Sequence, residues 1–153
     1  MSESSAEFLL INNNNTRTKF ALANRDELVA HDSMLSREVT VEAVSGQLAG
    51  WSWERVIIAS VVPAHVPALR EAQGGKETIE LSYKIPLGVE IDFPEPSTIG
   101  ADRLANAAAV AERDPTESTI VVDFGTAVTF DIIDSRPAYL GGVSAPGLDS
   151  MRH

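Results

Sequence analysis

Residues 9–20 read LLINNNNTRTKF and residues 120–130 read IVVDFGTAVTF, and the two can be laid one over the other. Each is an apolar run, a short polar turn, and a second run in which apolar and polar residues alternate. Asn12 then falls on Asp123 and Asn14 on Gly125, with one extra residue before the threonine of the first copy. Alternation of period two around a turn predicts two strands and a tight connection. The same device used twice predicts a duplication: two related halves, each opening on the same hairpin.

Outward from the first copy, EFLLIN and TRTKFALAN read as strands, Arg25-Asp26 turns the chain, and ELVAH returns as a third strand. Val41, Val44 and Leu48 form one apolar stripe on a helix over 39–48. RVIIASVV is largely β-branched, as a central strand covered on both faces requires. Pro63 ends it, AHVPALREAQ is a short helix stopped by Gly74-Gly75, and KETIELSYKI alternates as a strand. PLGVEIDFPEPSTIG carries three prolines and reads as loop. ADRLANAAAVAER is an alanine-rich helix, closed by Asp114-Pro115, that packs closely against a sheet. STIVVDFG is expected as a buried strand, TAVTFDIID as a second and AYLGGV as a third; APGLDSMRH begins a helix the sequence does not complete. The halves are assigned to 1–99 and 100–153, the second incomplete, so that its strands leave an apolar face unless further chain or a partner covers it.

The chain has 153 residues, enough for one compact domain with a real core, and an ordinary globular composition with 44% apolar and 22% charged residues. Twelve Lys and Arg against 22 Asp and Glu leave a net charge of -10. That argues against nucleic acid as a partner, because such binding needs a cationic surface to release counterions. It leaves a nucleotide open, since backbone N–H groups and a cation can hold phosphates locally. Without cysteine there is no thiol or disulfide chemistry. The opening MSESSAEF lacks the basic and apolar regions of a signal peptide, and VIIASVVPAHV falls short of the ~20 residues of a membrane span. The expectation is a cytoplasmic protein with neither membrane nor nucleic acid as partner.

Asp123, Gly125 and Thr126 fit a phosphate-binding turn: glycine to turn backbone N–H groups toward phosphate, carboxylate to hold a cation. The commoner use of such a turn is a hairpin in which Asp and Gly serve geometry alone. Asp102 in GADR stands at the start of the alanine-rich helix, where a carboxylate is often only a dipole partner worth under ~1 kcal/mol. Arg103 beside it suits either an anionic ligand or a surface ion pair. His31, His65 and His153 show no metal-ligand spacing, and Trp51 and Trp53 read as packing at a helix end.

INNNNTRTK, GADR at 100–103, DFGTAVTFD at 123–131 and GGVSAPG at 141–147 follow one another in the order of four segments of the type III pantothenate kinases, which this chain resembles over nearly its whole length. That resemblance implies an α/β fold of duplicated ribonuclease H-like halves, as in actin-like ATPases. It implies transfer of the γ-phosphate of ATP to pantothenate, giving 4'-phosphopantothenate in the first step of coenzyme A synthesis. Asp102 then corresponds to the general base, and Gly100, Ala101, Arg103 and Phe93 to the substrate site. Phe93 stands where the family has a tyrosine and lacks its hydroxyl. Asp123 corresponds to the ligand of a monovalent cation, K+ or NH4+; Asn12, Asn14, Asn15, Thr16, Lys19, Gly125 and Thr126 correspond to the nucleotide site, with Mg2+ on the phosphates. A homodimer is implied as well.

The first loop departs from that pattern. The family has Asp-x-Gly-Asn-Thr where this chain has Asn12 through Thr16. Asn14 is expected to take the left-handed backbone that glycine favours, since Asn visits it more readily than other residues. Asn12 keeps the shape of Asp without its charge, and a unit charge pair at 4 Å is worth up to about 4 kcal/mol at an effective dielectric of 20. The other expectation is therefore a catalytically impaired relative that acts as a ligand- or partner-binding module.

Overall fold

The computed structural model describes residues 4–113 and 116–147. Contacts divide the chain into two compact units, Met1–Leu81 and Ser82–His153.

The first unit runs β1 (Ser4–Ser5), β2 (Phe8–Asn13), β3 (Arg17–Ala23), β4 (Leu28–Leu35), α1 (Val41–Gln47), β5 (Trp51–Ser52), β6 (Arg55–Ser60), α2 (Val66–Glu71) and β7 (Glu77–Glu80). Five strands form one sheet in the order β4-β3-β2-β6-β7, with β1 and β5 paired separately. The β2-β3-β4 meander is antiparallel, and β6 and β7 join parallel to β2. Parallel neighbours need a crossover, which α1 and α2 supply. Strand alternation decides the core: Leu9 and Ile11 pair with Leu22 and Phe20 on one side and with Val56 and Ile58 on the other, all buried. Val44, Leu48 and Leu69 join that layer. Each such side chain contributes about 1.5–3 kcal/mol relative to exposure. Thr40 caps α1, its hydroxyl accepting the Ala43 N–H at 3.1 Å. Gly74 and Gly75, at φ 66 and 77, stop the chain after α2. The strand at 55–60 is central but unequally covered, with Ile57 only half-buried; β7 is a shorter strand than alternation over 76–85 suggested.

The second unit holds β8 (Glu90–Ile91), α3 (Ala101–Arg113), β9 (Thr119–Phe124), β10 (Ala127–Asp134) and β11 (Ala138–Pro146). The sheet order is β8-β11-β10-β9, antiparallel except for β8 against β11. Residues 90–91 and a 3-10 turn at Pro96–Thr98 thus add structure to a stretch read as loop, and β8 ties that stretch to the second unit. Helix α3 packs on β10 and β9 and buries Ala101, Leu104, Ala107 and Ala111. Its small residues let the backbone approach the sheet. One expectation is overturned here: β9 is not buried. Ile120 is 65% and Phe124 72% exposed, because β9 lies at the sheet edge with α3 on one side only. The expected stop at Asp114-Pro115 and the helix start beyond Gly147 lie outside the described residues.

Candidate active site

The two hairpins close in the same way. The Asn14 N–H donates to the Arg17 carbonyl at 3.1 Å, and the Gly125 N–H donates to the Ala127 carbonyl at 3.0 Å. Asn14 and Gly125 are therefore equivalent positions, and the first turn is longer by one residue. Neither uses left-handed backbone: no described non-glycine residue has positive φ, and Gly125 is not among the glycines that do. This corrects the left-handed backbone expected of Asn14. Asn14 directly follows β2 and Gly125 directly follows β9, and both turns close without positive φ at these positions.

In the first hairpin, Asn12 pairs across the ladder with Lys19 and Asn13 with Thr18. Directly opposed residues share a face, so Asn13 and Thr18 point into the unit while Asn12 and Lys19 lie on the other side. Asn13 is buried and fully bonded. Its amide nitrogen donates to Thr18 Oγ1 at 2.7 Å and meets His65 Nδ1 at 3.2 Å, and Ser60 Oγ donates to its Oδ1 at 2.7 Å. Ser36 Oγ, 2.9 Å from Thr18 Oγ1, donates to the Asn14 carbonyl at 2.6 Å. The loop is thus pinned from beneath by a polar network, while Asn15 and Thr16 form its exposed tip. Asn12 Oδ1 and Asn14 Oδ1 are buried without a hydrogen-bond donor. His65, which shows no metal-ligand spacing in the sequence, belongs to this support.

In the second hairpin Asp123 is an exposed carboxylate on β9 opposite Thr129, and Gly125 and Thr126 form the exposed turn. Gly147 braces it: its N–H donates to the Thr126 carbonyl at 3.1 Å, and a Cβ there would overlap the carbonyls of Gly125 and Thr126.

GADR forms the first turn of α3. The Gly100 carbonyl accepts the Arg103 and Leu104 N–H groups, both at 3.1 Å, with Ala101 buried behind it. Asp102 Oδ1 accepts the Arg103 N–H at 2.9 Å. Arg103 reaches from the helix to β10, where Nε donates to Asp131 Oδ1 at 2.6 Å and Nη2 lies 2.6 Å from the same oxygen. Tyr139 on β11 donates its hydroxyl to that oxygen at 2.8 Å. Asp131 is 0% exposed. Burial works to lower the Arg103 pKa, but the hydrogen bond and charge of Asp131 more than offset it, so the guanidinium is held above its ordinary value. Burial, then the bond to Asp131, raises the Tyr139 hydroxyl.

Phe93 meets Tyr139 edge to face, ring centres 6.2 Å apart at 73°. Gly141 makes room for it: a Cβ there, already strained at φ 122, would fall 2.9 Å from two Phe93 ring atoms. A Cβ on Gly142 would overlap Arg103 Nη2 and lie 2.8 Å from Asp131 Oδ1. The structure thus joins Phe93 and Arg103, both expected at the substrate site, through Tyr139 and Asp131, which sequence reasoning passed over. A signal for Asp131 was present: it alternates with Thr129 and Ile133 on the inward side of β10, where an isolated charge needs a partner.

Among the described residues no three His, Cys, Asp or Glu side chains cluster as a dedicated metal cage would need. A nucleotide-borne Mg2+ asks for less, one or two protein oxygens with phosphate and water supplying the rest. In the first unit the donorless amide oxygens of Asn12 and Asn14 fit that demand as neutral ligands.

An antiparallel meander extended by parallel strands over crossover helices, with the meander repeated in the second unit, defines the α/β fold of actin-like ATPases. Two solved structures share it: a putative Baf family transcriptional activator from Campylobacter jejuni (TM-score 0.55, 21% identity, 92% of this chain and 55% of that one), and the ethanolamine utilization protein EutJ from Carboxydothermus hydrogenoformans (TM-score 0.52, 14% identity, 91% and 51%). The sequence model of the type III pantothenate kinases matches residues 8–153, and the chain belongs to that family. It is 46% identical over 145 residues to the type III pantothenate kinase of Akkermansia muciniphila, covering 94% of this chain and 59% of that protein. It is 34% identical over 143 residues to that of Methylacidiphilum infernorum, covering 94% and 52%. The chain therefore spans between half and three-fifths of the length of these relatives.

Proposed function

We propose that this chain carries out, or supplies the N-terminal part of, ATP-dependent phosphorylation of pantothenate to 4'-phosphopantothenate. The observation that carries the reading is the family match over 8–153 together with Asp102 and Arg103 side by side on the first turn of α3. Asp102 is half-buried on the first turn of α3, beside Arg103. It accepts the proton of the pantothenate primary hydroxyl as that oxygen forms a bond to the γ-phosphorus, and the bond from that phosphorus to the β–γ bridging oxygen breaks to release ADP. Arg103 holds the anionic end of the substrate, with Gly100, Ala101 and Phe93 shaping its surroundings. Asn12, Asn14, Asn15, Thr16, Lys19, Gly125 and Thr126 serve the nucleotide, and Asp123 holds a monovalent cation, K+ or NH4+. Mg2+ and ATP together supply charge neutralisation and the transferred phosphoryl group when bound.

We place the working protein in the cytoplasm as a homodimer. No described helix is long and apolar enough to cross a membrane. The test is ADP release by the chain with pantothenate, ATP, Mg2+ and K+, compared with Asp102→Asn. Pantothenate-dependent turnover that falls in the variant is expected; a rate equal to that of the variant overturns the reading.

A further inference from the structure

We propose that Asp131 is a positioning residue, fixing the guanidinium of Arg103 for the substrate's anionic group, with Tyr139 holding the carboxylate in turn. The inference rests on the reading of Arg103 as a substrate contact. Two hydrogen bonds, from Arg103 Nε at 2.6 Å and the Tyr139 hydroxyl at 2.8 Å, converge on Asp131 Oδ1, and Arg103 Nη2 lies 2.6 Å from the same oxygen as an ion pair without making a hydrogen bond. Asp131 Oδ2 is buried with no hydrogen-bond partner. A carboxylate kept for stability would share its donors between both oxygens, since an unpaired buried acceptor costs free energy and a buried ion pair often does no better than apolar packing. What this arrangement does achieve is direction. Arg103 is a long side chain with many rotamers, and its backbone N–H is tied to Asp102 Oδ1 at 2.9 Å. A guanidinium left mobile there would be free to turn to that carboxylate and away from the substrate. Asp131 draws the guanidinium onto β10 instead.

Two further features serve the same contact. Gly142 leaves the space that Arg103 Nη2 and Asp131 Oδ1 occupy. Tyr139 is buried against Phe93, so its hydroxyl approaches Asp131 from one fixed direction. The planar guanidinium is anchored through Nε, while its buried Nη2 has no hydrogen-bond partner.

The test uses the full chain and two readouts. In 15N spectra, the Arg103 Nε–H, identified by its loss in Arg103→Lys, is expected to exchange slowly with water and to lose that protection in Asp131→Asn. Unchanged protection overturns the proposal, whether or not pantothenate binds. By calorimetry, Asp131→Asn is expected to weaken pantothenate binding about tenfold to a hundredfold, the scale of one charge-assisted hydrogen bond. In the Arg103→Lys background it should have little further effect; full additivity overturns the proposal, because it would place Asp131's action elsewhere. If Asp131→Asn does not fold, Tyr139→Phe, which removes one hydroxyl and keeps the ring, is expected to loosen the same Nε–H and weaken binding a few-fold, and no change in either overturns it. If the unaltered chain binds no pantothenate, the proposed function fails, while the Nε–H readout still decides whether Asp131 holds Arg103.

Discussion

Asn12 stands across the ladder from Lys19, on the side of the first hairpin away from the core, with its amide oxygen buried and without a donor. A neutral oxygen there can face a cation but adds no charge to hold it. Asn12→Asp restores the charge without changing the shape, and is expected to tighten Mg2+-dependent ATP binding about tenfold, the remainder of ~4 kcal/mol after desolvation. Calorimetric titration with and without Mg2+ checks this; equal affinity for ATP in both proteins would remove the first hairpin from the nucleotide site. Tyr139 carries a pH dependence of its own. Its hydroxyl titrates above the ordinary 10.0, so between the two values the unfolded chain has lost a proton that the folded chain keeps. The folded state binds more protons in that window, and stability falls as pH rises past about 10. Below it the contribution is fully present. The urea midpoint should therefore decline from pH 9 to 11, and less steeply in Tyr139→Phe.

At the level of elements, α3 was the most readable part of the sequence, and its packing follows from spacing alone: Ala101, Leu104, Ala107 and Ala111 recur at helical intervals and are buried. Leu104→Ala opens a cavity beside β10 and should cost about 2–5 kcal/mol, measured by urea denaturation. Ala107→Leu should cost about 1–3 kcal/mol by pushing the helix off the sheet. Both act by displacing the turn that carries Asp102 and Arg103, so binding of pantothenate should weaken with them. The hairpins were legible for a similar reason, since two apolar runs around a polar turn have few other solutions. Strand β9 was not. IVV reads as buried wherever it occurs, and only the sheet order, with β9 at the edge, shows which of its faces has cover.

Over the whole molecule, the register of the second sheet gathers Ile120 with Ile132, and Val122 with Phe130 and Val143, on one exposed face. An apolar face of this kind on an open edge invites association. Replacing Ile120 by Thr and Phe124 by Ser should lower binding of an apolar dye and raise solubility, and should leave stability within about 0.5 kcal/mol for each exposed site. A large loss of stability instead would show that these side chains are packed in solution. The net charge of -10 favours solubility and does nothing to draw in an anionic substrate. Under the proposed function, capture of such a substrate falls to local cations such as Arg103 and Lys19.

The amino-acid pattern alone determined the two hairpins, the crossover helices, the alanine-rich helix with its acidic start, and the family, because these depend on periodicity and on short stretches whose spacing is local. The tertiary structure decided which side of each strand is covered, and that Asn14 needs no left-handed backbone. It also decided that Asn13, Thr18, Ser36, Ser60 and His65 form one support and that Asp131 and Tyr139 close on Arg103. Those partners lie between five and 52 residues apart. Pairings at such separations are chosen by strand order and register, which nothing in a linear pattern of side chains specifies.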